Sequence, residues 1–361
     1  MNKNQARRRA IIYAVISVNL LMLSLLIYTG VRHAPQSALS MRTFGLSLSA
    51  ALGWLTSRVS ASVIEIVMFV LPLAIIAWLV VSGMKKRILV ALSGTLLIAC
   101  SAVTLFFILY FVNFAAPPLA ESLGLAVREY SVDELREVTE YLRDEVNKYA
   151  PSVDRSPEGT ANFPDFKPLN DELKVSYRSL AEQYDRFDVP PLDILSVKKA
   201  VLWSAPMSYV GIVGFYCPWT AEPTVNATGV DFELPFDMAH ELAHSLGIGP
   251  EDECNFTAYL VCSASDDARL RYSGALNAYI YAHNALFSVD QTVASDIYKT
   301  LDTRASADLR ALTLYLKQYD TPVRDAGTAV NDAFIKSTGQ VNGVRSYGKM
   351  VDLLMAWHFD H

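Results

Sequence analysis

The stretch Leu234–Leu260, LPFDMAHELAHSLGIGPEDECNFTAYL, governs how the rest of the chain is read. Pro235 suits the first turn of a helix, where its missing amide costs nothing. Along that helix His240 and His244 are one turn apart, so both imidazoles aim at one point, and Glu241 sits beside it. This is the HExxH arrangement: two nitrogen ligands for Zn2+ and a carboxylate, not bound to the metal, that takes a proton from the attacking water. A catalytic zinc site needs a third protein ligand and an open fourth position. Gly247 and Gly249 can end the helix sharply, and Pro250 begins another with Glu251, Asp252 and Glu253 in its first turn. A carboxylate is thereby carried straight back to the histidines.

Helical geometry orders the acids. At about 100° per residue, Glu251 and Asn255 fall within about 40° of each other, while Glu253 points nearly opposite Glu251. The Glu251 face continues through Cys254, Ala258 and Cys262, small enough to pack closely on the HELAH helix; the Glu253 face carries Phe256 and Leu260. Glu251 is therefore the expected third ligand and Glu253 the less favoured one. Asn255 is expected to accept a hydrogen bond from a ligand imidazole and so fix its tautomer. A developing oxyanion needs a donor besides the metal. Tyr272, Tyr279, His283 and Tyr347 are the candidates, although packing alone accounts for most part-buried Tyr and His.

Outward from this stretch the chain divides in two. Its 361 residues suffice for a membrane region and one good-sized globular domain. Up to about Asn113 long apolar runs dominate; beyond it charges, Pro and Asn appear throughout. Three segments are long enough to span a bilayer core of about 30 Å: residues 11–29, 63–81 and 88–112. Glu65, near one end of the second, is expected to snorkel or to meet a headgroup. Lys3, Arg7, Arg8 and Arg9 precede the first span, and Lys85, Lys86 and Arg87 fill the turn between the other two. Both clusters belong in the cytoplasm, which puts residues 113–361 outside the cell membrane. Between the first two spans Phe44, Leu48, Ala51, Leu52, Leu55 and Val59 recur at helical spacing. They predict an amphipathic helix over 42–59 lying on the outer surface or against the outer domain.

In the outer domain Ser131 and Glu134 form a capping-box pair that opens a helix to about Tyr149. A loop follows from Pro151 to Pro168, then a helix from about Asn170 to Phe187. Val197–Trp203 and Tyr209–Tyr216 are β-branched and aromatic runs bounded by Pro and Gly, so they predict strands. Helices resume from Pro235 to the end. The expected fold class is α+β and mostly helical: three transmembrane helices, then a zincin-like domain with a small sheet. Tyr209–Tyr216 is the candidate edge strand above a cleft, to which an extended peptide could add, with Glu222–Asn226 as an opposing wall. The cysteines offer no disulfide framework: on one helix Cys254 and Cys262 would stand about 12 Å apart, too far to bridge. The formal net charge is −6 and basic residues are dispersed beyond the N-terminus, which removes the electrostatic basis for binding nucleic acid.

Family resemblance enters at these motifs. Glu251 to Asn255, with small Cys254 before Asn255, resembles the ExxAD/ExxAN helix of gluzincin-type peptidases. The run SAPMSYVGIVGFYCPWTAEPTVN, LPFDMAHELAH, EDECNFTAYL, the three-span N-terminus and the late VNGVRSYGKMVDLLMAW together resemble an uncharacterised family of Gram-positive membrane proteins. The resemblance implies a gluzincin-like HExxH zinc metallopeptidase domain over most of the chain. One departure is the short gap between His244 and Glu251, since gluzincins carry the third ligand further on. A metzincin is excluded, because Pro250 stands where its third ligand would be. The expected function is hydrolysis of extracytoplasmic peptides or proteins by zinc-activated water, with Glu241 as base. The rival is a catalytically idle membrane protein with structural zinc or a peptide-binding role. Glu241 discriminates, because a structural site has no need of it.

Overall fold

The computed structural model describes residues 3–194, 196–338, 340 and 349–361. They form two compact units, Met1–Ala116 with Cys217–Glu222, and Pro117–Tyr216 with Pro223–His361.

The first unit contains α1 (Lys3–His33), α2 (Pro35–Thr56), α3 (Val63–Met84) and α4 (Ile88–Leu109), the last extended by a 3-10 turn, Phe111–Ala115. Three helices, Lys3–His33, Val63–Met84 and Ile88–Ala115, are long and apolar enough to cross a membrane. Their large apolar side chains point outward, Leu26, Phe69 and Leu89 each being more than 60% exposed. Polar contacts lie inside: Ser24 and Thr104 share a hydrogen bond at 3.0 Å between α1 and α4. That pattern suits an apolar solvent, where small and polar residues join helices and large ones face out.

The same logic orients α2, which begins before residue 42 and ends at Thr56. Its packed face is Gly45, Leu46, Ser49 and Gly53, while Phe44, Leu55 and Val59 are exposed. A Cβ at Gly45 would lie 2.2 Å from the Ile108 carbonyl oxygen, so close approach of the backbones selects the small-residue face. Two acids are also placed differently from expectation. Glu65 is buried in the first turn of α3, where the helix dipole favours a carboxylate, rather than reaching outward. Glu222, expected in a cleft wall, accepts hydrogen bonds from the Val63 and Ile64 amides at 3.0 and 2.9 Å and so caps α3.

The second unit is helical with a small sheet. In order it comprises α5 (Leu119–Ser122), α6 (Val132–Tyr149), α7 (Phe166–Ala181), β1 (Lys198–Lys199), α8 (Ser204–Tyr209), β2 (Gly214–Cys217), β3 (Glu222–Val225), α9 (Leu234–Ser245), α10 (Glu251–Ala264), α11 (Ala268–Val289), α12 (Gln291–Lys299), α13 (Thr303–Gln318), α14 (Pro322–Ser337) and α15 (Met350–Asp360). The capping box forms as read: Ser131 Oγ accepts from the Glu134 amide at 3.2 Å, and Glu134 accepts from the Ser131 amide at 2.7 Å. Helix α7 starts and ends earlier than expected, because Pro168 falls in its first turn, where proline is tolerated.

The strands are shorter than the sequence suggests. Only Lys198–Lys199 of the first run is strand, and Ser204–Tyr209 is helix, its first turn held by Ser204 Oγ donating to the Ala200 carbonyl at 2.7 Å. The sheet order is β1-β3-β2, with β1 parallel to β3 in the register Lys198↔Thr224. Glu222–Val225 is thus the central strand rather than an opposing wall, and β2 is an edge. The Asn226 amide donates to the Val213 carbonyl at 2.8 Å, extending the β2–β3 pairing.

The core gathers around α9 and α10. Met238, Ala239, Leu242 and Ala243 of α9 are fully buried, as are Ala258 and Val261 of α10. Tyr177 of α7 donates from its buried hydroxyl to the Ala239 carbonyl at 2.6 Å and so locks the histidine helix to its neighbour.

Candidate metal centre

Local sequence turns α9 into α10. The Ile248 amide donates to the Ala243 carbonyl and the Gly247 amide to the His244 carbonyl, both at 3.1 Å, with Gly247 at φ 76°. This is the Schellman ending, which needs a residue tolerant of the left-handed region. Four residues after Gly247 α10 begins with Glu251 in its first turn, and Pro250 precedes it in extended conformation.

The turn brings Glu251 onto the histidines. Its two carboxylate oxygens lie 3.2 Å from His240 Nε2 and 3.7 Å from His244 Nε2. Zinc bonds of about 2.0–2.1 Å in a tetrahedron put neighbouring nitrogen and oxygen ligands about 3.3–3.4 Å apart. The observed separations bracket that value, so each histidine stands at about a ligand-to-ligand distance from one Glu251 oxygen. The outer ring nitrogens are already used: His240 Nδ1 lies 2.8 Å from Asn255 Oδ1, and His244 Nδ1 lies 3.0 Å from the Ile248 carbonyl oxygen. With the rings protonated, Nε2 donates to Glu251 as an ion pair; in the neutral rings these oxygen acceptors hold the proton on Nδ1 and free Nε2 as a ligand atom. Burial acts to raise the Glu251 carboxyl, but the charges and hydrogen bonds of His244 and His240 outweigh it and hold the group well below the usual carboxylate range.

Cys254 adds a donor that the sequence reading treated only as a small packing residue. His240, His244 and Cys254 bring ligand atoms within 4.8 Å of one another and could hold a metal ion. The sulfur sits 3.3 Å from His244 Nδ1, on the edge of the ring turned toward Ile248, and its thiol points to the Ile248 carbonyl at 3.4 Å. Burial pushes this thiol up to about 12. Glu253 is turned elsewhere, accepting from the Leu119 amide at 2.9 Å, and burial raises its carboxyl to about 7.

Glu241 is 4% exposed, and its Oε2 has no hydrogen-bond partner among the described residues. Burial raises it to about 7 against the opposing pull of His240 and His244. Edge strand β2 runs beside it: a Cβ at Gly214 would come within 2.6 Å of Glu241 Oε1. The remaining sequence candidates are dispersed. The Tyr272 hydroxyl donates to Asp308, which also pairs with Arg155 at 2.6 Å. Tyr279 is buried, and its hydroxyl has no partner among the described residues. His283 Nε2 lies 3.1 Å from the Ala294 carbonyl oxygen, and its ring sits near Tyr279 and Phe287. Tyr347 lies outside the described residues. Sequence reading missed Gly214, which meets Glu241 across elements.

Fold and site together define a predominantly helical, membrane-associated chain with a cluster of His240, His244 and Cys254 that could hold a metal ion. The family model described as "Protein of unknown function (DUF3810)" matches residues 42–355, and the chain belongs to that family. No curated protein and no solved structure matches it. The family description includes neither a peptidase activity nor a Gram-positive origin, so those two implications of the motifs gain nothing from it.

Proposed function

We propose that the chain is a membrane-anchored zinc metallopeptidase that hydrolyses peptide bonds of substrates outside the cell membrane. The observation that carries this reading is the convergence of His240 Nε2 and His244 Nε2 on Glu251 at 3.2 and 3.7 Å, beside a buried, unpaired Glu241 oxygen. His240, His244 and Glu251 would hold Zn2+, which supplies the Lewis acid that makes water a nucleophile near neutral pH. Glu241 takes the proton from the attacking water and passes it to the leaving amine. Asn255 and the Ile248 carbonyl hold the two imidazoles in the tautomer the site needs. Edge strand β2, with Gly214 against Glu241, offers backbone groups to an extended peptide substrate. The basic clusters Lys3–Arg9 and Lys85–Arg87 support an inside N-terminus and an outward-facing catalytic unit.

Cys254, close to His244, favours one other reading, a closed structural site built on His240, His244 and Cys254 in an idle membrane protein. Metal content and peptide cleavage by the full chain in lipid nanodiscs separate the two. One zinc per chain is expected, lost on His240→Ala or His244→Ala and weakened on Glu251→Gln. Glu241→Gln keeps the metal and loses about a hundredfold or more in rate, as removal of a general base does. Zinc loss on Cys254→Ser but not on Glu251→Gln, with no cleavage by the wild type, would establish the structural site instead.

A further inference from the structure

The helix that carries the histidines is acidic upstream of them. Glu233, Asp237 and Glu241 recur every fourth residue, from the N-cap through the first turn to the middle of α9. At about 100° and 1.5 Å per residue, Asp237 lies within about 60° of His240, Glu241 and His244, and about 4.5 Å before His240 along the axis. Glu233 lies about 20° from His240 and about 10.5 Å before it. Two carboxylates thus continue the ligand face toward the start of the helix, both only part-buried.

Helix α11 closes the other side. Ser273 accepts from the Phe236 amide at 3.1 Å and donates to the Phe232 carbonyl at 2.5 Å, which pins α11 to the start of α9. Two turns on, Tyr281 feels the charges of Asp237, Glu251 and Glu233. Among the described residues neither Glu233 nor Asp237 forms an ion pair or side-chain hydrogen bond, and Glu241 has only the neighbouring His240 and His244 as opposing charges. The helix dipole accounts for acids at the start of α9, but not for the missing counter-charge. A second observation points to a ligand. Glu241 Oε2 is unpartnered among the described residues in a side chain 4% exposed, and Asp237 stands four residues before it, its neighbour on the same face of α9. A buried unpaired carboxylate oxygen calls for a donor, and an uncompensated acidic wall calls for a cation.

We propose that Asp237 and Glu233 form the specificity subsite of this centre and take an ammonium or guanidinium of the substrate next to the scissile bond. The inference rests on the peptidase reading and names its substrate class: peptides with a basic residue, or a free amino terminus, at the cleavage point. Asp237 reaches the cation nearest the metal ligands, and Glu233 the far end of a long side chain. Burial pushes Glu233 up to about 7, and burial with the charges of Glu233 and Glu241 pushes Asp237 well up. A bound cation supplies the counter-charge that the fold withholds.

The test uses zinc-loaded full chain in nanodiscs and quenched peptides that differ at one position, lysine against norleucine, each with a free or acetylated amino terminus. Cleavage is read as kcat/KM, and binding separately by calorimetry on the Glu241→Gln chain. Lysine peptides should be cut, and bound, about tenfold or more better than norleucine peptides, the yield of one desolvated charge-assisted hydrogen bond. The ratio should fall toward one in Asp237→Asn with Glu233→Gln. If acetylation alone removes the preference, the cation is the amino terminus; if it has no effect, the cation is the side chain. Equal cleavage of both peptides overturns the subsite and leaves the peptidase reading standing. A binding preference that depends on Asp237, without any cleavage, sustains the subsite and sinks the peptidase reading. Equal or undetectable binding of both peptides overturns the subsite.

Discussion

Gly214→Ala tests the placement of Glu241 more sharply than any change to Glu241 itself. The added methyl would stand 2.6 Å from Glu241 Oε1, 2.8 Å from Cγ and 3.0 Å from Cδ. Non-bonded heavy atoms settle at about 3.5–4.0 Å, so the whole carboxylate must retreat by roughly 0.5–1 Å. A side chain 4% exposed has little room to do so. Gly214 does not use the left-handed region, so alanine fits its backbone, and the shorter list of unfolded conformations returns about 0.4–1 kcal/mol. Overpacking costs about 1–3 kcal/mol, which leaves a net loss of stability of at most about 2–3 kcal/mol. A displacement near 1 Å is enough to cost about a hundredfold in rate. The expected outcome is a folded chain with full zinc content whose kcat/KM falls by about that factor. Gly229→Ala is the control, since no atom lies within 4 Å of its added Cβ. A Gly214→Ala chain that retains zinc and stays within about twofold of wild-type kcat/KM would refute the geometry argued for Glu241 and β2.

Three further outcomes are expected. Asn255→Ala, which removes the acceptor 2.8 Å from His240 Nδ1, should weaken zinc affinity about 10- to 100-fold, read by competition with a chromophoric chelator. Cysteines introduced near Lys86 should resist a membrane-impermeant thiol reagent in intact cells while ones near Ser156 react; the reverse would overturn the orientation. At the capping box, the hydrogen bond from Arg128 and those from Ser131 hold Glu134 down at about 2. Its folded value lies below its unfolded one, so its contribution is present above about pH 4.5 and is lost as pH falls through about 2. Glu134→Gln should flatten that part of a denaturation series, and Ser131→Ala should cost about 1 kcal/mol at pH 7.

Much of the chain is legible because its signals are local. Twenty-odd apolar residues in a run are a helix of membrane-crossing length wherever they occur, and Ser131 with Glu134 opens a helix by bonds that close within four residues. His240 and His244 share a face by helical period alone, and a glycine break followed by Pro250 and acids announces a return. What the sequence left open depends on partners far along the chain. Of the strands read at Val197–Trp203 and Tyr209–Tyr216 only the short pieces Lys198–Lys199 and Gly214–Cys217 form, and no local propensity reveals which neighbour they pair with. The packed face of α2 was not legible because size rather than polarity selects it once Gly45 meets the backbone at Ile108. That Glu251 rather than Glu253 stands against the histidines, and that Cys254 lies near His244, follows from a turn whose angle Gly247 sets in space. Gly214 against Glu241 is a contact across elements, invisible until strand and helix are laid side by side. Residue types and short spacings therefore determined the chemistry on offer, while close packing between distant segments determined which atoms meet to use it.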